Sequence, residues 1–299
     1  MRVVLVDSSR TVLKAVTRIL EARGHDVIPM LDGVEALARI KSDPSVAAVI
    51  TSAAPLSMSG VELCWEVRLV ANNRRSIYVL MMSSSQDWRN VIEALDCGAD
   101  DFIGKPPVPE ELYARLRVAE RLNAMQRDLI MLATTDALTG VLNRRAFFEK
   151  ANEACGRARA GSQLSAMMMD IDHFKRINDL FGHDVGDMVL RAVAQSAASQ
   201  VQLIGRLGGE EFAVLAEGMS EADTIALANR LRHMPNVPAL DGPEGSMTVT
   251  CSFGISRWQP GDTVDRLLKR ADVALYEAKA AGRNRVVMAH TELQRDCAA

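Results

Sequence analysis

The first third of the chain alternates short apolar runs with helical patterns, and that alternation constrains its fold more than any other feature. The runs are Val3 to Val6, Asp26 to Pro29, Ala47 to Ile50, Ile77 to Met82 and Asp101 to Ile103. Alternation at this spacing predicts a parallel sheet with helices on both faces. In such a fold the functional crevice lies beyond the carboxyl ends of the strands, which points to Asp7, Ser52, Ser83 and Lys105. At 299 residues the chain also has room for a second domain with its own core.

Further along, Arg206-Leu207-Gly208-Gly209-Glu210-Glu211-Phe212 runs into Ala213-Val214-Leu215. A Gly-Gly pair between strand-like runs predicts a hairpin, because each glycine takes the positive φ of a primed turn without a Cβ clash. Glu210 and Glu211 then sit at the tip or just past it, where adjacent carboxylates offer hard oxygen ligands for Mg²⁺ and a proton acceptor. A surface hairpin with two solvated acids fits the same seven residues. A second stretch shifts the balance. Leu164 to Met169 reads as a buried strand running into Asp170-Ile171-Asp172-His173-Phe174-Lys175-Arg176-Ile177-Asn178-Asp179, then Gly182-His183-Asp184-Val185-Gly186-Asp187. Strand-end acids beside a hairpin tip are how metal-dependent phosphoryl-transfer sites assemble.

Composition removes several function classes. A net charge of −3, from 35 basic and 38 acidic residues, gives no global attraction to nucleic acid or to an acidic membrane. The five cysteines lack CxxC spacing and the five histidines lack ligand spacing, which predicts reduced thiols and no zinc site. Met1 to Val6 meets Asp7 too soon for a signal peptide, and no apolar stretch approaches the length of a membrane span. The expectation is a cytoplasmic protein with neither nucleic-acid nor membrane partners.

From about Thr135 to Met288 the chain resembles the GGDEF family of diguanylate cyclases, whose signature stands here as GGEEF. Besides the two stretches above, the resemblance rests on Asp136-Ala137-Leu138-Thr139-Gly140, Leu142-Asn143-Arg144-Arg145, Ser252-Phe253-Gly254, and Ala278-Lys279 with Gly282-Arg283-Asn284, all in the right order. It implies an α+β domain with a mixed, largely antiparallel sheet, related in layout to nucleotidyl cyclases and polymerase palm domains. It also implies condensation of two GTP molecules into cyclic di-GMP and two pyrophosphates across a homodimer. By the same resemblance, two Mg²⁺ or Mn²⁺ ions per active site are held by Asp170, the Ile171 carbonyl, Glu210 and Glu211, with Glu210 as proton acceptor. Lys175 offsets charge at the reacting phosphorus, Lys279 and Arg283 meet the phosphates, and amides near His173 and Phe174 complete the cradle. Asn178 and Asp187 read guanine, with His183 as a lesser contact. Asp172, Asp136, Asn143 and Arg145 read as fold residues, Phe174 and Ile177 also as core, and Arg176 as solvated. The family's RxxD inhibitory site, nine residues before the first glycine, is replaced by Ser199-Gln200-Val201-Gln202.

Residues 1–107 resemble a response-regulator receiver domain, a doubly wound (βα)5 unit, through Asp7, Ser83, Phe102 and Lys105-Pro106. A receiver needs an acceptor aspartate after its third strand and an acid pair after its first. Ser52 stands at the acceptor position, Ser8 replaces the second acid, and Ala53-Ala54-Pro55-Leu56 departs from the usual loop. This predicts a pseudo-receiver whose degenerate site is Asp7, Ser8, Ser52, Ser83 and Lys105, with regulation independent of aspartyl phosphorylation and a surface open to a protein partner. Residues 108–134 read as a linker helix opened by Pro109-Glu110-Glu111, on which Val118, Leu122, Met125, Leu129 and Leu132 have the spacing of a two-chain coiled-coil seam. By the same resemblance residues 135–299 are expected to form the GGDEF domain, with helices over Asn143 to Arg159, Val185 to Ser199, Ser220 to Arg232 and Val264 to Ala281. Strands are expected at Leu164 to Met169, at Met247 to Ser256 and near Val286. The alternative is a non-catalytic nucleotide-sensing or scaffolding protein on the same fold, against which the intact acids Asp170, Glu210 and Glu211 argue.

Overall fold

The computed structural model describes residues 1–53, 57–71, 75–84, 92, 95–233, 240–242 and 245–290. Residues 54–56 of the altered loop and residues 291–299 of the second domain lie outside the described residues. The chain divides into two units, Met1–Met131 and Leu132–Ala299.

In the first unit all five expected strands form: β1 (Arg2–Val6), β2 (Asp26–Met30), β3 (Val46–Ser52), β4 (Tyr78–Ser83) and β5 (Asp101–Gly104). They pair in parallel in the order β2-β1-β3-β4-β5. Helices α1 (Arg10–Glu21), α2 (Gly33–Ser42), α3 (Gly60–Ala71) and α4 (Pro109–Thr134) accompany them. The strands are apolar on both faces because both are covered. Val3 and Leu5 of β1 join Leu13, Leu20 and Leu112, whereas Val4 and Val6 join Ile40, Leu63 and Val67 on the other side. Such a sheet leaves its polar residues at strand ends, and Asp7 and Ser52 stand there. Gly60 lets α3 start against the end of β3, since a Cβ on it would lie 2.1 Å from the Ser52 carbonyl oxygen.

The first half of α4 belongs to this unit through buried Leu112, Leu116 and Ala119. Burial continues to Asn123, which the apolar pattern did not predict. Its Nδ2 donates to the Ala47 carbonyl at 2.8 Å and its Oδ1 accepts from the Ser76 hydroxyl. Val118, Leu122, Met125, Leu129 and Leu132 are exposed, Leu132 by 72%.

The second unit is a six-stranded mixed sheet in the order β13-β12-β7-β9-β8-β6. Its strands are β6 (Leu142–Asn143), β7 (Leu164–Ile171), β8 (Leu203–Gly208), β9 (Glu211–Glu217), β12 (Cys251–Arg257) and β13 (Val286–Met288), with a separate hairpin of β10 (Leu240–Gly242) and β11 (Gly245–Met247). Its helices are α5 (Arg144–Arg159), α6 (Phe174–Phe181), α7 (His183–Ala198), α8 (Glu221–Leu231) and α9 (Val264–Ala280). Every residue of β7 is buried, because antiparallel partners β9 and β12 flank it and helices cover both faces. Met167, Met169 and Ile171 pack with Val193 and Leu227, while Leu164, Ala166 and Met168 pack with Phe147 and Leu268.

The strand expected from Met247 to Ser256 is broken. β7 ends at Ile171 opposite Cys251, Thr250 meets Asp172 through both its carbonyl and its hydroxyl, and Met247 pairs with Leu240 in the separate hairpin. Sequence periodicity also passed over α6, which is only eight residues long, and the two-residue β6. No helix among the described residues is long and apolar enough to cross a membrane.

Candidate active site

β7 carries Asp170 out of the core beside the β8–β9 hairpin, where it is paired with Glu211 on one side and Ser252 on the other. The hairpin turn consists of Gly209-Glu210, one residue later than the expected Gly-Gly pair. A register irregularity between Arg206 and Gly208 places Gly208 on β8 opposite Glu211, and only Gly209 of the two has a positive φ, +49°. Glu210 is therefore in the turn, and Glu211 begins β9. Arg206 braces this turn, donating from Nε to the Gly209 carbonyl at 2.9 Å and from Nη1 to Asp136 Oδ1 at 3.0 Å. Burial acts to raise the Asp136 carboxyl, but hydrogen bonds from Thr139 and Arg206 outweigh it and hold it below its ordinary value. Asp136 is thus a fold residue, as expected, and so is Asn143, which caps α5 by accepting from the Ala146 amide at 2.9 Å. Arg145 lies at the surface, 3.6 Å from Glu149.

Asp170 is only 5% exposed. Burial pushes its carboxyl up to about 6, the Lys279 ammonium 2.7 Å from Oδ2 pulls it down, and Glu210 and Glu211 add like-charge repulsion. Around it opens a cleft of about 400 Å³ that gathers Ile171, His173, Phe174, Lys175, Glu210, Lys279 and Arg283. His173 takes a left-handed conformation, φ 56°, and no side chain caps the start of α6 that follows. That helix start, with Lys175, Lys279 and Arg283, gives the cleft a cationic wall suited to phosphate. Arg176 is exposed, as expected, and it and Asp179 also line the cleft. Asp179 lies four residues after Lys175 and so on the same helix face, a spacing that was available in the sequence.

Asp172 is a fold residue of an unusually connected kind. Its carboxylate accepts from Thr250 Oγ1 at 2.7 Å, Ser252 Oγ at 2.6 Å and the Asn284 amide at 3.0 Å. It thereby ties the turn that bears Arg283 to the end of β7. Asn178, His183 and Asp187 line the α6–α7 junction rather than the cleft itself; Ile177, as expected, is core.

Among the described residues no three acidic, histidine or cysteine side chains stand close enough together to hold a metal ion. The chemistry of the donor set nevertheless suits a hard divalent cation. A buried carboxylate, its cross-strand neighbour Glu211, the turn residue Glu210 and the Ile171 carbonyl supply oxygen alone, and a cation would offset the burial that raises Asp170 and the repulsion from Glu210 and Glu211.

In the first unit, Lys105 donates from Nζ to Asp7 Oδ2 and to Ser52 Oγ, the latter at 2.6 Å. Asp7 Oδ1 accepts from the Ser9 amide at 2.8 Å. Asp7 and Ser52 are buried and Ser8 is exposed, while Ser83 ends β4 opposite Gly104. Lys105 is therefore an internal partner and not a surface charge.

Comparison with known proteins agrees with both units. Residues 133–285 match the family described as diguanylate cyclase, GGDEF domain, and residues 3–117 match the response regulator receiver domain. Over 301 residues the chain is 36% identical to response regulator PleD of Caulobacter vibrioides, covering 96% of this chain and 65% of that protein. It thus spans a little under two thirds of that relative's length. Diguanylate cyclase DgcP of Pseudomonas aeruginosa is 38% identical over 195 residues, 60% of this chain and 29% of that one. Among solved structures, the coiled coil and GGDEF domain of DgcB from Caulobacter crescentus, in complex with c-di-GMP, matches with a TM-score of 0.53 at 33% identity, over 60% of this chain and 99% of that chain.

Proposed function

The chain belongs to the GGDEF family of diguanylate cyclases, and on that premise we propose that it condenses two GTP molecules into cyclic di-GMP and two pyrophosphates. The observation that carries this is Asp170 in a cleft that it shares with Glu210, Lys175, Lys279 and Arg283, with Glu211 paired to it across the strands. In each half-reaction a 3′-oxygen bonds to the α-phosphorus of the other GTP, the bond to the pyrophosphate oxygen breaks, and pyrophosphate leaves with the electron pair. Glu210 takes the proton of the attacking hydroxyl. Lys175 and Arg283, with the start of α6, hold the triphosphate, and Lys279 reaches it from its place against Asp170. Asn178 pairs with the acceptor edge of guanine, and Asp187 accepts from its N1 and exocyclic amine hydrogens, a combination adenine does not satisfy. Asp170, Glu210, Glu211 and the Ile171 carbonyl would hold Mg²⁺ or Mn²⁺, two ions per site, supplying Lewis-acid stabilisation of phosphate charge.

One domain presents one GTP, so the reaction requires two copies face to face, and the exposed α4 stripe supports pairing as a homodimer. The first unit acts as a pseudo-receiver: Ser52 replaces the phosphate acceptor, and Lys105 is already engaged by Asp7 and Ser52. Control then comes from pairing, or from a protein bound to the receiver-like surface, and not from aspartyl phosphate. Incubation of the purified chain with GTP and Mg²⁺ is expected to yield cyclic di-GMP, with no cyclic product from ATP. Glu210→Gln should abolish turnover with the fold intact. Wild-type rates in that variant would refute the assignment.

A further inference from the structure

We propose that Gly186 is a specificity-determining residue, the absence of its side chain forming the seat that holds the Asn178 amide for guanine. Gly186 is buried in the first full turn of α7, where that helix packs on α6. A Cβ built on it would stand 1.9 Å from Asn178 Oδ1 and 3.0 Å from Asn178 Cγ, with Phe174 Cζ next at 3.3 Å. No two unbonded atoms coexist at the first of these distances, so a Cβ here would swing the Asn178 amide, the end of a flexible side chain, out of the position it now holds. Nor can Asn178 retreat by shifting its backbone, since its carbonyl accepts from the Gly182 amide at 2.9 Å and closes α6. Helix formation does not explain the glycine, because apart from proline it is the least favourable residue in a helix interior. The next residue on α7 is Asp187. One turn of one helix thus both seats the amide and presents the carboxylate that together read the base.

The inference rests on the reading of Asn178 as a guanine contact, and a double-mutant cycle on the full chain separates the two. Initial rates with GTP, with ATP as competitor, would be measured for Gly186→Ala, Asn178→Ala and the double variant, alongside thermal midpoints. Asn178→Ala is expected to raise KM for GTP roughly tenfold, the effect of losing about one base hydrogen bond, with a smaller change in kcat and a weaker preference over ATP. Gly186→Ala should reproduce that split and lower the midpoint. The double variant should match Asn178→Ala in KM and regain the midpoint, because truncating Asn178 removes the clash. A wild-type KM in Gly186→Ala, or effects that multiply in the double variant, would overturn the proposal. A wild-type KM in Asn178→Ala would overturn the guanine reading beneath it, and the proposal with it. Should Gly186→Ala not fold, a folded double variant supports the seat, and a double variant that also fails to fold refutes it.

Discussion

Each unit of this chain ends a buried strand in an aspartate and sets a lysine against it: Asp7 with Lys105, and Asp170 with Lys279. The two pairs are alike in burial and opposite in surroundings. Around Asp7 stand serines and a backbone amide, so a single ammonium completes the site. Around Asp170 stand two further carboxylates, and Lys279 is one of several cations, with Lys175 and Arg283, on the wall of the same open cleft. A strand-end aspartate is therefore not in itself a functional site. What distinguishes the second site from the single closed pair of the first is the gathering of several acids and several cations around one open cleft.

Exchanging the two acids tests that contrast most sharply. Asp170→Asn is expected to reduce turnover by at least about a thousandfold, because it removes charge from the proposed phosphoryl-transfer site. Asp7→Asn, assayed below its melting temperature, should leave turnover per dimer unchanged, and equal losses in the two variants would erase the distinction. Stability should move in opposite directions. Removing the Asp7 charge leaves the partly buried Lys105 ammonium without its carboxylate and costs about 2 kcal/mol in the first unit. Asp170 binds its proton more tightly folded than unfolded, so its contribution is fully present below its ordinary value of 3.8 and is lost as pH rises through about 6. In metal-free protein that loss is roughly 3 kcal/mol, and Asp170→Asn should abolish it. Denaturant midpoints of the second unit between pH 4 and pH 7.5 would check this, and a flat wild-type profile would contradict it. The smallest effects concern control. Replacing Leu122 and Leu129 by glutamate should shift the chain toward monomer in light scattering and lower turnover per chain several-fold, since a charge in a packed seam is desolvated without a partner. Acetyl phosphate and beryllofluoride should change neither quantity, and activation by either would show the first site to be less complete than its geometry indicates.

Strand alternation and strand-end residues made the first unit and its crevice legible, because a doubly covered parallel sheet writes each strand as a continuous apolar run. The positions of Asp170 near the end of β7 and of Glu210 in the turn were legible too, because an apolar run and a glycine pair mark where a strand and a hairpin end. What escaped was set by contacts distant in sequence. The turn moved by one residue because a bulge near Leu207 depends on how β8 pairs with β9. The break before Cys251 follows from where β7 stops, 80 positions earlier for the Ser252–Asp172 contact. Asn123 lies on an apolar helix face as a polar residue, and only Ser76 and Ala47 explain it. The seat at Gly186 likewise exists only once α6 and α7 are packed.

That buried asparagine gives α4 the character of a keyed shaft. Apolar contacts alone would let a helix roll or slide by small steps, since one leucine can replace another in a greasy groove. The amide of Asn123 permits one setting, with its oxygen toward Ser76 and its nitrogen toward Ala47. A slip of one residue turns a helix by about 100°, which would leave these polar groups buried and unpaired and swing the Leu122–Leu129 stripe to another compass bearing. The angular phase at which the stripe leaves the first unit is thus indexed by a single side chain, and a partner that seeks to re-aim it must first satisfy the Ser76 hydroxyl and the Ala47 carbonyl in its place.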